Sequence, residues 1–353
     1  CFLLGMKLKK KNNLPLDKFI NFSLYNKENG YYMKKSKFGK YGDFITAPNI
    51  SRLFSEMIAI WIIGFWKSLG SPKKFNLIEL GSGNGEMMKI IIESFQNFPN
   101  FFNSCNLIIY EKSPSLIKIQ KIKIKNSNIT WISKLKKINN KPSIFIANEF
   151  FDALAIKQFQ KKEKLWFEKF VNFSNFNEAF FFDKKINIKN IEKKINFKIS
   201  ANQNFIEYSE QGLNYLRDIS KIIKKNKGGL LLIDYGYTEK KMKNTLQGVS
   251  NHKFANILNN IGNIDITHNI NFNLFQKYLK NLGGLKINLT TQKNFLINMG
   301  IKNRAEKISK SLSFLKKADI YYRLERLIDE KQMGNLFKVM LIKNQKNNFK
   351  SGF

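Results

Sequence analysis

An α/β fold with a mostly parallel, doubly wound sheet is predicted from three observations. Residues 75–85 read F-N-L-I-E-L-G-S-G-N-G, an apolar run that ends in Gly81, Gly83 and Gly85. Apolar strand-like runs then alternate with stretches of helical spacing, the pattern of a parallel sheet covered by helices on both faces. Carboxylates also recur where those runs end, at Glu111, Glu149, Asp152 and Asp234. In an open α/β sheet, ligands collect at that edge.

Each element has its own warrant. Leu14 to Asn26 carries apolar residues at helical spacing and predicts a short amphipathic helix. Pro48 stops anything helical before it, and Asn49 or Ser51 can cap a buried helix running to about Leu69. Gly70-Ser71-Pro72 marks a boundary. Strands are expected at 75–81, 106–111, 129–132 and 143–147, with helices at 86–96 and after Ser113-Pro114, an N-cap and N1 pair. From Ala155 to Asp183 aromatic residues and lysines alternate, which predicts a hairpin outside the parallel core. Lys184 to Ser200 reads as a surface excursion, and Phe205 to Asn226 as one long amphipathic helix. Leu230 to Ile233 is a further strand ending at Asp234, and the segment from Thr245 to Phe272 reads as irregular. Helices follow at about 272–282 and 303–316, then a late strand, Phe337 to Ile342, that closes the sheet edge. The domain reading is an N-terminal helical cap with a covering loop over 1–72, and a core over 73–353 with an insertion at about 155–204.

The glycine turn selects among ligands. Glycine lets backbone N–H groups approach a ligand, because no Cβ intervenes. A dinucleotide fingerprint needs G-x-G-x-x-G, but here Glu86 occupies the third fingerprint position. No P-loop sequence follows. Glu79 inside the first strand, the G-x-G-x-G loop and Glu111 after the second suit S-adenosylmethionine better. The loop then faces the amino-acid end of the cofactor, and Glu111 takes the ribose hydroxyls. For each strand-end acid the alternative is a plain helix N-terminal cap.

Composition narrows the class. The chain has 353 residues, 43% hydrophobic and 14% aromatic, enough for a substantial core. Its 61 basic residues against 26 acidic ones give a net charge of +35. Nearly all the bases are lysine, spread among Asn, Ile and Phe, so compositional drift is favoured over a built polyanion site. Cys1 and Cys105 offer neither metal spacing nor a disulfide framework, and His252 and His268 accompany no acid at ligand spacing. No metal site is expected. The longest apolar run, Met57 to Trp66, is too short for a bilayer. The Met6–Lys11 stretch has neither a signal-like apolar segment nor a transit-like composition, so a cytoplasmic location is expected.

Further blocks carry a resemblance. They are Gly30-Tyr31-Tyr32, Phe38-Gly39, Gly42-Asp43-Phe44-Ile45-Thr46-Ala47-Pro48, Ile78 to Gly85, and Ala147-Asn148-Glu149-Phe150-Phe151-Asp152-Ala153-Leu154. Later come Ile233 to Tyr237, Thr245-Leu246-Gln247, His252, Asp265-Ile266-Thr267 and Met333 to Val339. In this order the chain resembles the MidA-like methyltransferases, which include a mitochondrial complex I assembly factor that methylates an arginine. It departs from them at Ser82 and Ala155, and at Asn269 and Asn271 where acids are usual.

The resemblance implies a Rossmann-like class I methyltransferase with S-adenosyl-L-methionine as cofactor. Cofactor contacts are expected at Thr46, Pro48, Glu79, Gly81, Ser82, Gly83, Gly85, Glu111 and Asn148. Catalytic carboxylates are expected at Glu149 and Asp152, then Asp43 and Asp234. A protein substrate is implied, such as a complex I core subunit, with no dedicated nucleic-acid partner, no membrane span and scope for a homodimer. A eukaryotic source would place the chain in the mitochondrial matrix. The rival readings are a non-catalytic assembly protein that keeps the cofactor fold, and an RNA methyltransferase.

Overall fold

The computed structural model describes residues 12–34, 46–125, 128–175, 178–250 and 253–353. The chain divides into two compact units. One comprises Cys1–Ser36, Phe151–Leu216 and Tyr237–Asn281, and the other Lys37–Phe150, Arg217–Gly236 and Leu282–Phe353. The segment 1–72 is thus divided between the two at residue 36.

The larger unit is built on a sheet of β1 (Phe75–Leu80), β2 (Cys105–Tyr110), β3 (Ile129–Ile132), β4 (Ser143–Asn148), β5 (Gly228–Tyr237), β6 (Leu285–Thr291) and β7 (Phe337–Asn344). The order is β3-β2-β1-β4-β5-β7-β6. The first five in that order are mutually parallel, and β7 is antiparallel to both β5 and β6. Every residue of β1 and β4 is buried. Successive side chains on a strand point to opposite faces, so both faces of the sheet are covered. The helix Arg52–Ser68 supplies much of that cover through Leu53, Phe54, Trp61, Ile62 and Phe65. Gly228 permits the β5–β4 approach, since a Cβ there would lie 2.0 Å from the Ser143 carbonyl oxygen.

The smaller unit has its own core, with Leu16, Phe19, Ile20 and Leu24 of the helix Leu16–Tyr25 packed with Ile156, Val171, Ile257, Ile264 and Ile266. An antiparallel sheet runs in the order Asn12–Pro15, Leu165–Asn175, Lys157–Lys162, Phe205–Tyr208, with Glu178–Ile186 also paired to Leu165–Asn175. Lys157 Nζ ties the helix to this sheet through Asp17 Oδ1 at 3.0 Å and Glu168 Oε1 at 2.7 Å.

Several sequence expectations change. Phe205 to Asn226 is not one helix but a strand, Phe205–Tyr208, followed by the helix Glu210–Asn226. Ser209 divides them: its Oγ accepts the Gly212 N–H at 2.9 Å, as a helix cap does. The segment expected to be irregular contains the strands Gln247–Ser250, Lys253–Ala255 and Asp265–Thr267. The helix expected at 303–316 is two, Ile301–Ser309 and Phe314–Ile328. Strand β7 lies inside the sheet rather than at its edge, which is β6. Lys184 to Ser200 includes the helix Ile188–Ile195. Among the described residues no helix is long and apolar enough to cross a membrane.

Candidate functional site

The glycine turn leaves β1 with Gly81, Gly83 and Gly85 at φ of 68°, 51° and 81°. These left-handed values cost a residue with a Cβ free energy that glycine avoids. At Gly81 space is short as well, for a Cβ would sit 2.8 Å from the Phe150 ring. Phe150 is half-buried and meets Tyr110, the last residue of β2, edge to face at 6.2 Å.

Beneath the turn, Glu79 is 2% exposed. Its Oε2 accepts the Ser82 hydroxyl at 2.6 Å. Burial pushes the Glu79 carboxyl up to about 7, the Ser82 hydrogen bond opposes the rise, and Glu111 nearby adds to it. A carboxyl raised in the folded state stabilises most below its unfolded value, and that contribution is lost as pH climbs through the folded one. A rise from 4.5 to about 7 corresponds to about 3 kcal/mol lost between those pH values. Glu79→Gln is therefore expected to gain about 3 kcal/mol relative to the parent chain between pH 4 and pH 8. Urea denaturation at several pH values reads this directly, and parallel stability curves for the two proteins would exclude it.

Glu111 follows β2. Its Oε1 accepts the Lys112 and Ser113 N–H groups at 2.8 and 2.9 Å, and its Oε2 the Gln120 Nε2 at 3.2 Å. Burial raises this carboxyl, and those three hydrogen bonds pull it back. Gln120 is fully buried and also donates to the Gly83 carbonyl at 2.9 Å, while its Oε1 accepts the Trp131 indole N–H at 2.9 Å. It joins the turn to Glu111. One polar residue within the helix Pro114–Ile124 gives no periodic signal, so sequence reasoning missed it.

Strand β4 ends at Asn148. Its Nδ2 donates to Glu149 Oε1 at 3.2 Å, whereas its buried Oδ1 has no hydrogen-bond partner among the described residues. Glu149 has φ of 49°, unusual for a residue with a side chain, and donates its N–H to the Ile233 carbonyl at 3.0 Å. Its Oε1 also accepts the Ala47 N–H at 3.3 Å. Thr46 Oγ1 in turn accepts Asn49 Nδ2 at 2.8 Å, and Asn49 Oδ1 accepts Asn84 Nδ2 at 3.0 Å. Three blocks distant in sequence, Thr46-Ala47-Pro48, the glycine turn and Asn148-Glu149, are thus joined by one run of hydrogen bonds. Asn49 and Asn84 complete it, and neither was foreseen as a site residue. Pro48 is buried beside Thr46 in the short helix Ala47–Ile50.

The remaining predicted carboxylates are placed differently. Asp234 does not end its strand: β5 continues to Tyr237, and Asp234 is fully buried within it, opposite Lys338 of β7. Its Oδ1 accepts the Tyr235 N–H at 3.0 Å. Its parallel pairing with β4 ends one residue earlier, at Ile233 and Asn148, so Asp234 is the first residue past that pairing although its strand runs on. Asp152 belongs to the smaller unit, is 6% exposed, and accepts the His268 N–H on its carbonyl at 3.2 Å. Burial pushes His268 down to about 4. Asp43 and His252 lie outside the described residues, as does the 42–45 part of the expected covering loop. Among the described residues no His, Cys, Asp or Glu cluster is placed to hold a metal ion.

The residues present fit a ligand with a cationic amino end and hydroxyl donors. The glycine turn offers close backbone approach, Glu79 an adjacent buried carboxyl, and Asn148 Oδ1 an acceptor whose burial without a partner costs about 1–3 kcal/mol.

Comparison with known proteins agrees with this chemistry. Residues 57–290 match the model of a family described as "Putative S-adenosyl-L-methionine-dependent methyltransferase". The Xenopus tropicalis protein named "Protein arginine methyltransferase NDUFAF7, mitochondrial" is 27% identical over 94% of this chain and 83% of its own length. The Homo sapiens protein of the same name is 26% identical over 94% and 80%. A COG1565 superfamily member from Burkholderia thailandensis, solved bound to S-adenosyl-homocysteine, has a TM-score of 0.81 at 20% identity, covering 96% of this chain and 90% of that one. That likeness shows the fold.

Proposed function

Since the chain belongs to the S-adenosyl-L-methionine-dependent methyltransferase family, we propose that it methylates an arginine side chain of a protein. The reading is supported by the names of the relatives above and, within the structure, by the unmet Asn148 Oδ1 beside the Glu149 carboxylate.

In this reading the N–H groups of the Gly81–Gly85 turn, Glu79 and Asn148 hold the amino-acid end of the cofactor, and Glu111 its ribose. Ser82, Thr46 and Pro48 support that cradle. The bound cofactor supplies a methyl group already activated by a sulfonium. What the chain must add is position: a nucleophile held in line with the methyl group reacts without further activation of the donor. An arginine is protonated at neutral pH and its nitrogen is a poor nucleophile. A carboxylate that takes the guanidinium through two hydrogen bonds orients it and draws positive charge away from the attacking nitrogen. Glu149 suits this task, since it is half-buried and its backbone is fixed by the Ile233 carbonyl. Asp152 is a second candidate in the smaller unit, and Asp43 a third. The acceptor is proposed to be a respiratory complex I subunit or a similar protein, following the resemblance. The setting would be mitochondrial in a eukaryote, as in the named relatives, and the cytoplasm in a bacterium.

Incubating the purified chain with methyl-labelled cofactor and an extract of its source cells tests this. Label is expected in material that resists ribonuclease and is destroyed by protease, and acid hydrolysis is expected to release it as methylarginine. Label on RNA, or on no macromolecule, defeats the proposal.

A further inference from the structure

The smaller unit holds a cavity of about 320 Å3. Its floor is a face of the antiparallel sheet, where Gln158, Lys169 and Phe181 come from three adjacent strands. Its wall is formed by the strands Gln247–Ser250 and Lys253–Ala255 with the Ile257 side chain. The deepest group is Gln158, only 1% exposed. Its Nε2 donates to Glu207 Oε2 at 2.6 Å and to Asn244 Oδ1 at 2.7 Å. Its Oε1 has no hydrogen-bond partner among the described residues. The neighbouring Glu207 is satisfied by contrast, since it also accepts the Thr245 hydroxyl and the Thr245 N–H. A buried amide oxygen left without a donor is unusual enough to need a cause. That oxygen is itself enclosed, so a ligand N–H reaches it from the cavity only when a neighbouring side chain shifts.

The mouth shows what kind of ligand. Lys253–Ala255 is an outer strand of its small sheet and, among the described residues, pairs only with Gln247–Ser250. Its middle residue, Phe254, is 84% exposed and lines the cavity. Phe181 across the mouth is 39% exposed, with Lys169 Nζ 5.1 Å above its ring. An open strand edge recognises an extended backbone, and flanking apolar side chains select alternate residues along it. A small metabolite would use the interior but neither the edge nor Phe254. Lys169 in the cavity lining and Lys253 in the edge strand favour acidic residues in the partner.

We propose that this cavity and its strand edge dock an extended segment of an acidic protein. The segment's backbone runs along Lys253–Ala255, its apolar side chains meet Phe254 and Phe181, and one N–H-bearing side chain reaches Gln158 Oε1. The proposal rests on the reading that the acceptor is a protein, and it names where that protein is gripped.

The probe is a degenerate library of acetylated peptides with a fixed central arginine, selected on the full chain. The retained sequence is resynthesised and titrated by fluorescence anisotropy, with hydrogen exchange followed on the same complex. Acidic sequences are expected, with protection over 253–255. Phe254→Asp, on a side chain that leaves the core untouched, is expected to weaken binding at least about tenfold. The same variant is expected to bind S-adenosylhomocysteine as the parent does. Retention of no peptide, equal affinity in Phe254→Asp, or protection confined to other residues overturns the docking site. If that happens while S-adenosylhomocysteine still binds, the methyltransferase reading stands and only the docking site falls. If S-adenosylhomocysteine binds to neither protein, the cofactor reading falls instead.

Discussion

Gly81→Val is expected to abolish measurable binding of S-adenosylhomocysteine while the chain stays folded. Two costs act together. The backbone at this position has φ of 68°, a region that β-branched residues avoid. Holding such a residue there costs about 1–3 kcal/mol. The added Cβ would also meet the Phe150 ring at 2.8 Å, so the ring or the turn must move. Either movement disturbs the N–H groups proposed to face the ligand. A combined loss of about 3–4 kcal/mol is a factor of several hundred in affinity. Isothermal calorimetry measures it, and a circular dichroism melt on the same sample shows whether the fold survives. Gly83→Val tests the neighbouring position, where φ is 51°. Unchanged affinity in both would show that the turn only packs a helix on a strand.

Glu149→Gln is expected to separate binding from transfer. The substitution keeps an oxygen that can accept the Ala47 N–H, which Glu149 Oε1 now accepts at 3.3 Å. Affinity for S-adenosylhomocysteine should therefore change little. The negative charge is lost, and with it a charge-assisted hydrogen bond to the acceptor worth about 1.5–3 kcal/mol. Single-turnover transfer to the labelled acceptor protein should fall between about tenfold and a hundredfold. Glu149→Ala makes the comparison sharper, since it also releases Ala47 and should harm both steps. A Glu149→Gln protein that transfers at the parent rate would leave this carboxylate a structural role only.

Where backbone rules governed, the residues predicted the structure well. The apolar run and glycines of 75–85 became β1 and its turn, and the helix Phe272–Leu282 follows its amphipathic spacing. Ser113 caps the helix Pro114–Ile124 by accepting the Leu116 N–H at 3.3 Å. Where distant pairing governed, the signal was weak. Phe205–Tyr208 continues the helical pattern after it, yet it pairs with Lys157–Lys162 and is drawn into a sheet. Strand β6, L-K-I-N-L-T-T, alternates apolar and polar residues in its first half, yet no strand was expected there. The site divides the same way. Glycines and strand-end acids announce themselves, whereas Gln120, Asn49 and Asn84 matter through side-chain hydrogen bonds that no spacing encodes.

The backbone of Glu149 sits where glycine or asparagine would be more comfortable. Any programme that selects variants for heat resistance alone will be drawn to substitute this position, because relaxing the main chain there is an easy gain. Thermostability screens on this chain should therefore carry a turnover assay from the first round, or hold residue 149 fixed.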